Sequence, residues 1–130
     1  METYKNKYDF IKKQMNILAV PYEFGGWESK VTYPYFAGES TETPTTTEDG
    51  YEETTLLLNG FHRGKYIVLE EIKEKIKKHF DPDYGLRATT DNGTIAVFFD
   101  GCFQLPTGEA DLKRIQINLL IKEWKKKGDM

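Results

Sequence analysis

The clearest alternation of apolar and polar side chains lies towards the C-terminal end of the chain. In the stretch LKRIQINLLIKEW, aliphatic residues occupy every second position: Ile115, Ile117, Leu119 and Ile121. A period of two places these side chains on one side of a β-strand. The pattern therefore predicts a strand with one buried face and one wet face.

A β-hairpin is predicted shortly before this strand, in LRATTDNGTIAVFFDG. Its dipeptide Asn92-Gly93 has the residue types preferred for a two-residue turn. Ile95, Val97 and Phe99 then share one face of the return strand. Three more strands are predicted, in VPYEFGGWES, KVTYPYFAGES and EETTLLLNG. Because Pro34 lacks an N–H donor, we expect its strand to be an edge strand or to be bulged there.

Two segments have the period of an amphipathic helix. The first apolar stripe steps by three and four residues, through Tyr4, Tyr8, Ile11, Met15 and Leu18. The second stripe consists of Leu69, Ile72, Ile76 and Phe80. The dipeptide Asp81-Pro82 is expected to end the second helix. His79 falls in its last turn, where the helix dipole favours a cation.

The order of these elements predicts the fold class. A helix and strands are followed by a second helix and further strands, in a chain of 130 residues that suits one domain. We therefore expect a single domain over residues 1–130 with an α+β fold. The expected architecture is a mostly antiparallel sheet with two helices packed on one face.

A polar segment at about residues 39–55 interrupts the strand pattern. It reads ESTETPTTTEDGYEETT and contains no aliphatic side chain. Such a segment builds no core, so it is either an arm that orders against a partner or a long loop that only solvates one end of the sheet. The candidate interface residues here are Thr45, Thr46, Thr47, Asp49 and Tyr51. Tyr51 is the preferred anchor because it is large and amphipathic.

Aromatic residues crowd into the segment before this one. They are Tyr22, Phe24, Trp27, Tyr33, Tyr35 and Phe36. Strand alternation does not bury all of them in one small core, so some are expected to meet a partner, and Trp27 is the candidate interface residue among them. The alternative is that the first helix covers them.

Composition and charge exclude several classes of function. The net charge of −3 argues against a nucleic-acid binder that works by neutralising phosphates. The single cysteine, Cys102, allows no intramolecular disulfide and is best explained as a small buried hydrophobe. The N-terminus lacks the apolar stretch of a signal peptide, and no apolar run is long enough to span a bilayer. We expect a soluble protein.

Motifs for cofactors and metals are incomplete. GFHRGK is one residue short of a phosphate loop and has Tyr66 where Ser or Thr must stand. DPDYG has Gly85 where a calcium loop needs a third oxygen ligand. His62 and His79 lack a second ligand at zinc spacing. We expect no cofactor, no metal and no enzymatic activity; were the chain an enzyme, Asp100, Cys102 and His62 would be the first suspects.

The order of elements resembles a known protein family. An N-terminal helix leads to VPYEFGGWESKVTYPYF, then a polar insertion and a strand, then LEEIKEKIKKHF, TIAVFFDG and DLKRIQINLLIKEW. This order resembles the small tail-completion and tail-terminator proteins of lambda-like, long-tailed phages, including those of prophages. The resemblance spans about Tyr8 to Trp124 and is carried by element order, not by an invariant motif.

The resemblance implies a structural role. Proteins of this kind assemble into a hexameric ring that caps the tail tube and joins it to the head connector, and DNA passes through without specific binding. The implied partners are copies of the chain, the tail tube protein and the head connector protein, with no membrane. The implied location is the virion tail, after assembly in the host cytoplasm. The alternative is a small α+β ligand-binding or regulatory domain, possibly dimeric, that uses the sheet face as a pocket.

Overall fold

The computed structural model describes residues 2–25, 30–43 and 50–125. Helices α1 (Lys7–Ile17) and α2 (Ile67–His79) are the two helices among these residues. The seven strands are β1 (Thr3–Tyr4), β2 (Tyr22–Phe24), β3 (Tyr35–Thr43), β4 (Glu52–Arg63), β5 (Leu86–Thr90), β6 (Gly93–Leu105) and β7 (Leu112–Lys125). The predicted α+β class is confirmed.

All seven strands form one sheet, in the order β1-β5-β6-β7-β4-β3-β2. The four inner pairings, β5–β6, β6–β7, β7–β4 and β4–β3, are antiparallel. The two edge pairings, β1–β5 and β2–β3, are parallel, so the sheet is mixed. Strand β7 lies in the middle of the sheet, and it is the strand whose apolar and polar residues alternate most strictly. Every second side chain of this strand points into the core, so every second residue is apolar.

One hydrophobic cluster joins the helices to the sheet. Four alternate residues of β7 belong to it, each fully buried: Ile115, Ile117, Leu119 and Ile121. The same cluster contains Ile11 and Met15 of α1 and Leu69 and Ile76 of α2. Fully burying each such side chain contributes about 1.5–3 kcal/mol. We call this side of the sheet the core face and the opposite side the second face.

Helix α1 begins three residues later than the start of its apolar stripe. Tyr4 lies in β1 instead, and Asn6 is the N-cap, with extended backbone and a side chain that accepts a hydrogen bond from Asp9 N. An Asn at this position satisfies one of the free N–H groups of the first turn, which fixes where the helix begins. Tyr4 still packs against Phe10, with ring centroids 4.9 Å apart.

The hairpin turn is shifted by one residue from the prediction. Thr90 pairs with Gly93, so Asp91 and Asn92 are the two turn residues and not Asn92-Gly93. Asn92 N donates a hydrogen bond to Thr90 Oγ1. Gly93 has a φ of 152° and begins β6, a conformation that glycine adopts without strain. The hairpin itself was therefore predicted correctly, and its turn was placed one residue too far along the chain.

Pro34 lies just outside the strand to which it was assigned. Strand β3 begins at Tyr35, and the next residue, Phe36, donates its N–H to Pro21 O at 2.9 Å. The missing donor of Pro34 therefore removes no bond from the sheet ladder. Strand β3 is also not the edge strand, because β2 pairs with its first half.

The two strands that flank the polar segment extend into it. Strand β3 runs to Thr43 and β4 starts at Glu52, with Thr43 opposite Glu53. Both ends of the segment at 39–55 are therefore paired, while residues 44–49 lie outside the described residues. Threonine is β-branched and favours extended backbone even where it buries nothing.

Candidate interface on the second face of the sheet

The register of the strands lines up side chains in rows across the second face. One row consists of Leu105, Arg114, Phe61 and Tyr35, from β6, β7, β4 and β3 in turn. The next consists of Phe103, Gln116, Asn59 and Ala37. These side chains project opposite to the core residues because successive residues of a strand alternate between faces. The face therefore combines aromatic, aliphatic and cationic side chains.

A stack of rings and guanidinium groups runs across the first row. The Tyr35 and Phe61 rings are nearly parallel, at 23°, with centroids 5.1 Å apart. Arg114 lies over the other side of Phe61, its guanidinium carbon 5.5 Å from the ring centre. Tyr33 extends the stack beyond Tyr35, at 5.6 Å. Stacked aromatic pairs and cation–π contacts each contribute about 0.5–1.5 kcal/mol, so the stack holds these side chains in place.

A second arginine fixes the exposed end of this stack. The Arg63 guanidinium lies 5.5 Å from the Tyr33 ring centre. It also donates to both carboxylate oxygens of Asp111, at 3.0 and 3.1 Å, and to Glu109 at 3.1 Å. These contacts tie β4 to the loop between β6 and β7, which carries both carboxylates.

Arg114 is bound differently. Its Nη2 donates to Asn59 Oδ1 at 2.8 Å, and Asn59 Nδ2 in turn donates to Glu39 Oε1 at 3.2 Å. The Nε of Arg114 is buried and has no hydrogen-bond partner among the described residues. The result is a half-buried cation that is held in position by a neutral amide.

Two cavities adjoin Arg114. The smaller, of about 270 Å³, lies on the second face and is lined by Gly25, Ala37, Gly38, Glu39, Asn59, Phe61 and Arg114. The larger, of about 410 Å³, lies along the β6–β7 loop and reaches from Tyr66 to Arg114. We call the smaller cavity the Arg114 notch.

The opposite end of the second face has its own cation. Lys122 Nζ lies 5.1 Å from the ring centre of Tyr51 and 5.4 Å from that of Phe98. Tyr51 also packs on Trp124, at 5.3 Å. The predicted anchor Tyr51 therefore makes contacts within its own chain, at the base of the β3–β4 hairpin.

The other predicted interface residues lie outside the described residues: Thr45, Thr46, Thr47 and Asp49, and also Trp27. Sequence reasoning missed Phe61, Arg114 and Phe103. Their position in the strand alternation could have identified them. Each belongs to a strand whose alternate residues are apolar and buried, and each points to the opposite side, the second face. Aromatic and arginine side chains that point away from the core are typical of protein interfaces.

The three suspects for an enzyme site do not come together. Cys102 and Leu58 both pair with Ile117 of β7, from opposite sides. His62 lies four residues beyond Leu58 in β4, which is about 13 Å along the strand. Cys102 packs against the core cluster, and burial raises the pKa of its thiol. Asp100 is exposed in the bulge where β6 slips against β7.

Residues 2–25, 30–43 and 50–125 contain no cluster of three metal-binding side chains. No helix among them is both long enough and apolar enough to cross a bilayer.

Comparison with known proteins adds no family assignment. No protein-family model matches the chain, and no curated protein matches it.

Proposed function

We propose that the chain is a structural protein of a long-tailed phage or prophage. Its copies form a ring, with six subunits, that ends the tail tube and joins it to the head connector. The ring lets DNA pass without specific binding, and the mildly acidic chain, with a net charge of −3, suits a lumen that does not hold phosphate. The protein assembles in the host cytoplasm, stays in the virion tail, and acts without a cofactor or a membrane.

The second face is the observation that carries this proposal. A sheet face that presents Phe61, Phe103 and Arg114 carries residue types that are enriched at protein interfaces. Phe103 is 53% exposed, so part of this apolar area remains in contact with water in the single chain. Docking against another protein would bury it.

The proposal includes the finer architecture expected from the sequence, a mostly antiparallel sheet with both helices on the core face. The four inner antiparallel pairings support the first part. The shared core cluster of Ile11, Leu69 and Ile117 supports the second, because these three residues come from α1, α2 and β7. With both helices on the core face, the second face is left for partners.

The β3–β4 hairpin is the second element of the proposed interface. Its two strands pair continuously from Tyr35 opposite Phe61 to Thr43 opposite Glu53. The segment at 39–55 then supplies hydroxyl, carboxylate and backbone groups that a neighbouring subunit can bind.

The test is an assembly reaction with tail tubes of the phage or prophage that encodes the chain. We expect the protein to form a hexamer by solution mass, to cap the tubes and to make them competent for head joining. Replacing residues 44–49 with Asn-Gly is expected to leave the fold intact, by circular dichroism, and to abolish capping. A protein that stays monomeric with tubes present contradicts the proposal.

The alternative, a ligand-binding domain, draws its support from the cavity of about 410 Å³ along the β6–β7 loop. That volume lies within the usual range for small-molecule sites, about 300–1,000 Å³. Its lining joins the Tyr66 ring to the polar groups of Gln104 and Lys113. A stable dimer that binds a metabolite and ignores tail tubes would favour this function.

A further inference from the structure

Strand β6 is only partly covered on the side that faces away from β7. It has 13 residues, whereas its neighbour on that side, β5, has 5. Strand β5 pairs with β6 no further than Val97, and Phe99 N then donates a hydrogen bond to Phe80 O at 2.9 Å. From Asp100 to Leu105 no described residue pairs with this side of β6. We call this stretch the open edge.

The pairing of β6 with β7 shows which main-chain groups point outward at the open edge. Because Phe99 N points away from β7, Phe99 and Leu119 are not a hydrogen-bonded pair of this ladder. A bulge between Phe99 and Cys102 then sets two residues of β6 against one of β7. Cys102 therefore pairs with Ile117, which has the same orientation as Leu119, and Gln104 follows two residues later. The N–H and C=O groups of Cys102 and Gln104 hence point outward.

There is room for another strand beside these groups. The cavity of about 410 Å³ along the β6–β7 loop adjoins Gln104 and Leu105 and extends to Tyr66. On the second face, the neighbouring Phe103 is 53% exposed. A strand added at the open edge would bond the outward N–H and C=O groups, and its side chains would occupy space on both sides of the sheet.

The residue types at the open edge allow it to pair with a copy of itself. Natural edge strands are commonly protected from pairing by lysine, proline or a bulge. Apart from the bulge at its start, this edge has no such protection: residues 101–105 read GCFQL, without a charged side chain or a proline. A two-fold axis brings identical side chains together, so a charge near the axis would meet its own copy and oppose pairing. The one charged residue, Asp100, lies at the end of the stretch.

The outward groups also decide the register of such a pairing. All of them are bonded when Cys102 of one copy lies opposite Gln104 of the second copy, and the reverse. Phe103 then lies opposite Phe103 of the second copy, in a pair without main-chain hydrogen bonds, where Cα atoms are about 4.5 Å apart. Aromatic side chains that meet across two strands stabilise a sheet, and here they would cover the ring that a single chain leaves half exposed.

We propose that two copies of the free chain pair antiparallel through their open edges, with Phe103 at the two-fold axis. The pairing continues the sheet of one copy into that of the other and shields the open edge from strands of other proteins. Because a two-fold contact closes after two copies, it goes beyond the proposed ring, which needs a head-to-tail contact. The paired stretch is short, so we expect a weak dimer with a Kd of about 1 µM to 1 mM.

The experiment is disulfide trapping in a Cys102→Ser background, followed on non-reducing gels. Phe103→Cys would bring two thiols together across the axis, with Cα atoms about 4.5 Å apart, which a disulfide can bridge. Leu105→Cys is the matched control on the same strand and face, because its Cα would lie about 14 Å along the strand from its copy. We expect a mild oxidant to link Phe103→Cys into covalent dimers and to leave Leu105→Cys monomeric. Equal linkage of both variants, or linkage of neither, overturns the inference.

Sedimentation of the wild type and of Gln104→Pro gives the second arm. Proline removes an outward N–H and leaves the β6–β7 ladder intact, so dimerisation should weaken by about 10- to 100-fold, for two hydrogen bonds lost per dimer. If Gln104→Pro unfolds, the disulfide arm decides. A wild type that stays monomeric up to about 1 mM overturns the inference, and the proposed function stands if such monomers still cap tubes. Dimers that never cap tubes contradict the proposed function and leave this inference in place.

Discussion

Lys7 Nζ lies 3.4 Å from Glu123 Oε1, although 116 residues separate them in the chain. Both side chains are nearly buried, at 11% and 6% exposed. Burial acts to lower the pKa of Lys7, but the Glu123 carboxylate and the hydrogen bond to Glu42 outweigh it and raise that pKa. A charged lysine at the start of α1 therefore binds the ends of β3 and β7 together.

Removing this lysine is expected to destabilise the fold. Lys7→Ala leaves Glu123 buried without its cation, which should lower the free energy of unfolding by about 3 kcal/mol. Urea unfolding measures the loss, with Lys5→Ala as an exposed control that changes it by less than about 0.5 kcal/mol. The pair Lys7→Met and Glu123→Leu should be more stable than Lys7→Ala, and equal losses would contradict this account.

A close approach of Gly60 and Phe36 gives a second prediction. A Cβ on Gly60 would overlap the Phe36 ring, which is fully buried on the neighbouring strand β3. Gly60→Ala should therefore destabilise the protein by about 1–3 kcal/mol, the usual range for overpacking. In the double variant with Phe36→Leu the smaller side chain makes room, so the losses should not add. Full additivity in urea unfolding would show that the two side chains do not compete for space.

The elements predicted best from the sequence were those with one continuous apolar side. Strand β7 was predicted over 112–124 and is found at Leu112–Lys125, because its alternation decides both its conformation and its buried face. Helix α2 was likewise read from its apolar stripe and is found at Ile67–His79. In both elements the local pattern and the tertiary packing favour the same structure.

Other features depend on pairing that no local pattern encodes. Strand β2 lies within the predicted strand VPYEFGGWES, but β1 has only two residues, too few for periodicity to reveal. The parallel pairing of both strands at the sheet edges is likewise not encoded by any local pattern. The stack of Tyr35, Phe61 and Arg114 forms only once β3, β4 and β7 are in register. Of the predicted interface residues, Tyr51 is placed by its contacts with Trp124 and Lys122, while Thr45 to Thr47, Asp49 and Trp27 lie outside the described residues.

The next prediction concerns how His79 makes the stability of the fold depend on pH. The expectation of a cation in the last turn of α2 is corrected, because burial lowers the pKa of His79 from its ordinary 6.5. The side chain donates from Nε2 to Gln14 Oε1 at 2.7 Å, and α2 itself places Lys75 and Lys78 nearby. Burial between the two helices therefore outweighs the favourable helix dipole.

The sign of the effect follows from proton linkage. Below pH 6.5 the unfolded chain binds a proton at His79 more readily than the folded protein. The stabilisation is therefore fully present above that pH and is lost as pH falls through the lowered, folded-state pKa. Urea unfolding of the wild type and His79→Gln from about pH 8 to about pH 5 tests this, and the variant should lose less stability on acidification. Parallel pH profiles would contradict it.

The last prediction concerns the second face and uses Phe103. Its side chain is 53% exposed in the single chain, so Phe103→Ser should change the free energy of unfolding by less than about 0.5 kcal/mol. If this face meets a partner, the same change should weaken self-association or tube capping by about tenfold or more, because a large aromatic anchor is lost. Tyr84→Ser is the matched control, since Tyr84 is 81% exposed and lies outside the strands of that face. Sedimentation and capping assays on both variants decide the matter: equal behaviour of Phe103→Ser and Tyr84→Ser would mean that the Phe103 end of the second face faces solvent in the assembly.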